Sequence, residues 1–144
     1  MLAICQRLLL SFCAALALSA CALMPPAASL YERLGGQAGV SALMGKTLSR
    51  AAKDARTQRS FDGIKLAPLQ ESLTEQLCAL TGGGCKYQGQ AMDLVHRDLR
   101  IAHSEFDAFV EILRQEMDAS GVAAREKNEL LRLLAPMKTA IVKP

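Results

Sequence analysis

Apolar residues recur along this chain at helical spacing, and no segment alternates as a half-buried strand would. Val40, Leu43, Met44 and Leu48 form one stripe, predicting a helix that runs to about Ala55. Leu66, Leu69, Leu73, Leu77 and Leu80 form a second, with Pro68 tolerated in its first turn and Gly82-Gly83-Gly84 to stop it. Phe106, Phe109, Val110, Leu113 and Met117 form a third, from a Ser104 cap to Gly121. A fourth runs from about Ala124 to Ile141 through Leu130, Leu134 and Met137, and Pro136 inside it is expected to kink it or shift its register. A shorter stretch, Ala91–Ile101, carries Met92, Val95 and Leu99 at helical spacing beside His96. Leu30–Leu34 reads as a brief amphipathic turn closed by Gly35-Gly36, and Arg56–Lys65 has no period and one large apolar residue, Phe61. The pattern predicts an all-α fold whose last two long helices lie antiparallel.

The chain begins differently. Arg7, the apolar run Leu8–Ala17 and then Leu18-Ser19-Ala20-Cys21 resemble a bacterial lipobox. That likeness implies a lipoprotein signal peptide over 1–20 and an acylated Cys21 opening a tether over 21–29, ahead of one domain over 30–142. It also implies a membrane-anchored location in the bacterial cell envelope, at the periplasmic face of the outer membrane because Ala22 follows the cysteine. Met24-Pro25-Pro26 suits an extended tether.

The net charge of +3 includes Arg7, which leaves with the signal. So balanced a remainder supports neither nucleic-acid binding nor electrostatic attachment to acidic lipid. Arg50, Lys53, Arg56 and Arg59, three or four apart, read as a solvated helix face. Cys5 and Cys13 depart with the signal, leaving Cys78 and Cys85 in an oxidising compartment, as a disulfide closing a short loop or as free thiols. With His96 and His103 they form a formal zinc set, but at a spacing that fits no familiar zinc pattern. No nucleophile elbow or paired-carboxylate signature points to a hydrolase. Trp is absent and only four Phe and two Tyr are present, so a flat apolar cofactor would help fill the centre.

Several strings together resemble a known family. Leu30-Tyr31-Glu32-Arg33-Leu34-Gly35-Gly36 is similar to the opening of group 1 truncated haemoglobins. Gly82 to Met92, with Tyr87-Gln88-Gly89, followed by Val95-His96, resembles their glycine turn and proximal histidine; Leu99, Ile101, Phe106 and Ala135-Pro136-Met137 continue the likeness. The resemblance implies a two-over-two helical sandwich around non-covalent haem b, with His96 as the proximal iron ligand. It implies that the second ring nitrogen of His96 donates to a backbone carbonyl one turn earlier. Met92, Val95, Ile101, Phe106 and Phe109 are then expected on the proximal side of the porphyrin, and Phe61 wedged against it.

One departure from the family matters. Many group 1 members carry a tyrosine above the iron, aided by a glutamine on the facing helix, whereas an ungapped alignment from His96 puts Leu48 at the tyrosine position. Leu69 and Leu73 take the two haem-facing positions of the distal helix, unless rotation brings in Gln70 or Gln76. The function implied is reversible binding of oxygen, NO or CO in an apolar distal pocket, with fast oxygen loss. Nitric oxide dioxygenation, which needs stabilised oxygen and an unidentified reductase, fits poorly without that tyrosine. His103 is expected in solvent. The competing reading is a globin-like lipoprotein that has lost its cofactor and serves as a structural or binding module.

Overall fold

A computed structural model describes residues 27–142. The signal peptide and Cys21 inferred from the sequence lie outside the described residues, as does most of the tether.

The chain enters through α1 (Leu30–Arg33), whose N-terminus is closed reciprocally: the Ser29 hydroxyl accepts from Glu32 N–H and the Glu32 carboxylate accepts from Ser29 N–H. Gly35, at φ +91°, turns the chain into α2 (Gly36–Ala51). At Gly39 a β-carbon would stand 2.2 Å from the Leu34 carbonyl oxygen, so only glycine lets α1 fold back this closely on α2. A 3-10 turn (Gln58–Phe61) leads to α3 (Leu66–Leu80), followed by the one-turn α4 (Met92–Val95). Then come α5 (His103–Ala119), α6 (Ala124–Leu134), a second 3-10 turn (Ala135–Met137) and α7 (Lys138–Ile141). Among the described residues the only β pairing is an isolated parallel bridge between Ile101 and Val142. The described helices pack as an all-α sandwich, as the apolar stripes predict.

The helices meet where the leucine stripes predict. Val40, Leu43 and Met44 of α2 pack with Leu77 of α3, Leu113 and Met117 of α5 and Leu130 of α6 in one buried cluster, which Leu30 and Leu34 cap. Pro136 converts the expected long last helix into α6, a 3-10 turn and α7, because it cannot donate to the α-ladder. The stripe survives that interruption.

Three boundaries and one surface differ from the sequence expectation. Helix α2 ends at Ala51 rather than near Ala55, and Asp54 turns its carboxylate onto Arg56 N–H at 2.9 Å to form a local turn. Helix α5 starts one residue before Ser104, so Ser104 is not its cap; the Glu105 carboxylate instead accepts from Ala102 N–H at 2.9 Å. In the stretch from Ala91 to Ile101, only Met92–Val95 is helical. Arg50, Arg56 and Arg59 are not merely solvated either, because they pair with Glu116, Glu111 and Glu105 along α5 at 3.1, 2.9 and 2.6 Å. Each exposed pair is worth at most about 1 kcal/mol, but the ladder sets the register of the Ala51–Phe61 segment on α5.

Cys78 and Cys85 form a disulfide, joining the end of α3 to the loop that leads to α4. The two thiols are thereby removed from any zinc set, and among the described residues no three His, Cys, Asp or Glu side chains converge as metal ligands. Closing so short a loop contributes about 2–3 kcal/mol in the chain-entropy treatment. Unfolding in urea with and without a reductant is expected to show a loss of that size on reduction; superimposable curves would mean the loop is held by other contacts.

Candidate functional site

Helices α2 and α3 on one side, and α4, α5 and the α6–α7 segment on the other, enclose a large cavity. It holds about 1000 Å³ of empty space, counting the solvent at its mouth, and its walls are overwhelmingly apolar. Leu48 of α2 and Leu69 and Leu73 of α3 line one side, with Phe61 at the edge. Met92, His96, Ile101, Phe106 and Phe109 line the other. Phe61 and Phe109 stack across the cavity rim with ring centroids 6.0 Å apart.

Nine of the ten cavity residues expected from sequence therefore converge. Val95 does not: it is 42% exposed and lines no part of the cavity. The reason is periodicity. Residue 95 immediately precedes His96, about 100° away around a helical turn, whereas Met92 lies four residues before His96 on the same face. The inward stripe of this stretch is Met92, His96 and Leu99, and Leu94 and Val95 point to solvent.

The imidazole of His96 is oriented by its own turn. Its Nδ1 lies 2.8 Å from the Met92 carbonyl oxygen. A carbonyl only accepts, so Nδ1 carries the proton and donates, leaving the lone pair on Nε2. Among the described residues Nε2 has no hydrogen-bond partner. An imidazole oriented in this way, with its second nitrogen unpartnered on the wall of an apolar cavity, is placed to ligate a transition metal held within a flat apolar group.

Several wall residues were not singled out from the sequence as part of a site. Met137 and Ile141 belong to the stripe that Pro136 interrupts, so helical spacing was the signal that could have found them. Thr57, Ser60 and Glu105 had no such signal, because their roles depend on a contact between distant segments. Thr57 donates its hydroxyl to the Ala51 carbonyl at 2.6 Å. Glu105 accepts from Ser60 Oγ at 3.0 Å and pairs with Arg59, whose guanidinium also donates to the carbonyls of Leu99 and Arg100. Arg100 has φ +48°, a left-handed conformation costly for this residue type. Arg59 thus braces the strained turn just after His96. Of the two glutamines weighed for the distal side, Gln70 donates to the Ser41 carbonyl at 2.9 Å, away from the cavity, whereas Gln76 is on its wall. His103 is exposed, as expected.

Hydrogen bonds from Arg59 hold the Glu105 carboxyl below the usual carboxylate range, and those from Arg56 hold Asp54 at about 2. Both folded values are depressed, so their stabilisation is present above the ordinary values of 4.5 and 3.8 and fades as pH falls below them, for Asp54 through about 2. The thermal midpoint is expected to drop through that window, and less steeply in Glu105→Gln; equal slopes in both proteins would remove Glu105 from the account.

A helical sandwich around an apolar cavity with one histidine on its wall defines a globin-like class. Residues 29–143 match the family model described as bacterial-like globin, and the chain belongs to that family. It is 29% identical over 115 residues to the group 1 truncated haemoglobin GlbN of Nostoc sp. (strain MUN 8820), covering 80% of this chain and 98% of that one. It is 26% identical over 106 residues to the group 1 truncated haemoglobin of Tetrahymena thermophila, across 74% of this chain and 88% of that one. Among solved structures, truncated haemoglobin from Tetrahymena pyriformis in its Fe(III) form aligns with a TM-score of 0.76 at 23% identity, over 81% of this chain and all of that one. The 2/2 haemoglobin of Synechococcus sp. PCC 7002, in the cyanomet state with covalently attached haem, aligns with a TM-score of 0.76 at 25% identity, over 80% of this chain and 98% of that one. Haem is the cofactor of this family.

Proposed function

We propose that the cavity holds haem b non-covalently, with His96 as its proximal ligand through Nε2, and that the protein reversibly binds a diatomic gas. The observation that carries this reading is the His96 Nδ1 to Met92 carbonyl contact at 2.8 Å on the wall of an apolar cavity. Haem held there would supply an iron able to take up a diatomic gas. Ile101, Phe106 and Phe109 bury the proximal side, and Leu48, Leu69 and Leu73 exclude water from the distal side without offering a hydrogen-bond donor. The test is the absorbance spectrum of purified, haem-supplied protein: a Soret band that moves on reduction and again on adding carbon monoxide is expected, and a colourless sample overturns the reading.

The same proposal includes attachment to the cell-envelope membrane through an acylated Cys21, which rests on the lipobox-like sequence alone. Cys21→Ser is expected to move the protein from the membrane fraction to the soluble one; an unchanged distribution would argue against lipidation.

A further inference from the structure

Gln76 is a polar side chain in an apolar enclosure. It is 5% exposed, lines the cavity and continues the stripe of Leu69 and Leu73, seven and three residues on. Its only hydrogen-bond partners among the described residues are thioethers: Nε2 lies 3.5 Å from Met92 Sδ and 3.9 Å from Met137 Sδ. Sulfur here can only accept, which fixes the amide with its NH2 toward the two methionines. Such a bond is weak, and burial of a carboxamide among leucines is costly. Gln76 therefore needs an account that core packing does not give.

Met92 is gripped at two points. Its Sδ accepts from Gln76, and its carbonyl accepts from Nδ1 of His96. Helix α4 is a single turn, too short to hold its own geometry, whereas α3 runs for 15 residues. Methionine is also the most flexible of the apolar side chains, so an unanchored Met92 would sample several rotamers. We propose that Gln76 is a positioning residue for His96, acting through Met92, so that the rigid distal helix sets the orientation of the proximal imidazole. The link joins the two walls of the cavity by one residue. A shift of α3 at Leu73 would reach the imidazole through it.

The inference rests on the haem assignment above, and its test separates the two. Gln76→Leu, Met92→Leu and the double variant are prepared as haem-loaded proteins. Met92→Leu keeps the backbone carbonyl and nearly the volume while removing the sulfur. Resonance Raman spectra of the ferrous, ligand-free forms report the iron–imidazole stretching band, which a merely structural role of Gln76 would not move. Each single variant is expected to shift and broaden that band and to lose haem about 10-fold faster, the lower end for partners that orient a metal ligand. The double variant is expected to do no more than either single one, because both cut the same link. An unchanged band in Gln76→Leu, or effects that simply add, would overturn the inference. Should Gln76→Leu fail to fold, an unmoved band in Met92→Leu alone would do the same. Wild-type protein without a Soret band would overturn the haem assignment instead.

Discussion

His96→Ala is expected to abolish the Soret band of the haem-supplied protein while leaving its helix content intact. The first half follows from the geometry of the proximal turn. His96 is the sole imidazole on the cavity wall, and the thioethers of Met92 and Met137 on that wall are weak donors already engaged by Gln76. Disturbing only the carbonyl partner that orients a metal-binding histidine costs about 10–100-fold in affinity, and removing the ligand itself costs more. The second half follows from where the core lies. The buried cluster that holds the domain together draws on α1, α2, α3, α5 and α6 and includes no residue of α4. Circular dichroism of the variant should therefore match wild type, and haem titration should give a featureless spectrum that free imidazole restores. Equal Soret bands in the two proteins would move the iron ligand elsewhere.

Oxygen is expected to leave the wild-type protein rapidly, and Leu48→Tyr is expected to slow its departure by roughly 10- to 150-fold. A hydrogen bond to a partly charged ligand is worth roughly 1.5–3 kcal/mol, and that energy converts into this range of rates. Leu48 is 1% exposed and faces the cavity from α2. Its neighbours on that side, Leu69 and Leu73, carry no donor, and Gln70 is committed to Ser41 on the far side of α3. A tyrosine at 48 places a phenol on the cavity side of α2, at an overpacking cost of about 1–3 kcal/mol that denaturation would reveal. Stopped-flow release of oxygen measures the effect. A slow wild-type rate that Leu48→Tyr leaves unchanged would show that a donor already reaches the ligand, and Gln76 would then be the first residue to examine.

The long helices were readable because each carries an apolar stripe whose partner is another stripe. Leu66 to Leu80 gave α3 with both ends right, since glycines stop it whatever its neighbours do. The end of α2 was not readable, because Asp54 breaks the helix by a side-chain turn that nothing in the apolar spacing records. Val95 was misplaced for a related reason. Three-residue and four-residue spacings both look helical, and in a single turn only tertiary contact decides which residue faces inward. The brace of Arg59, Glu105 and Ser60 was out of reach altogether, since it joins residues more than forty positions apart. The wall residues Leu48, Leu69 and Leu73 were accessible only through the family resemblance, which fixed the register from His96.

The parallel bridge between Ile101 and Val142 has a consequence for synthesis. It ties the strained turn behind His96 to the residue that follows α7, while Ile141 closes part of the cavity wall. Contacts of such long sequence separation form late, after the segments between them are in place. A chain translated through the end of α6 has made every helix of the buried cluster but not the stretch that carries Ile141 and Val142. Closure of the cavity is thus the part of assembly that waits for the segment after α6.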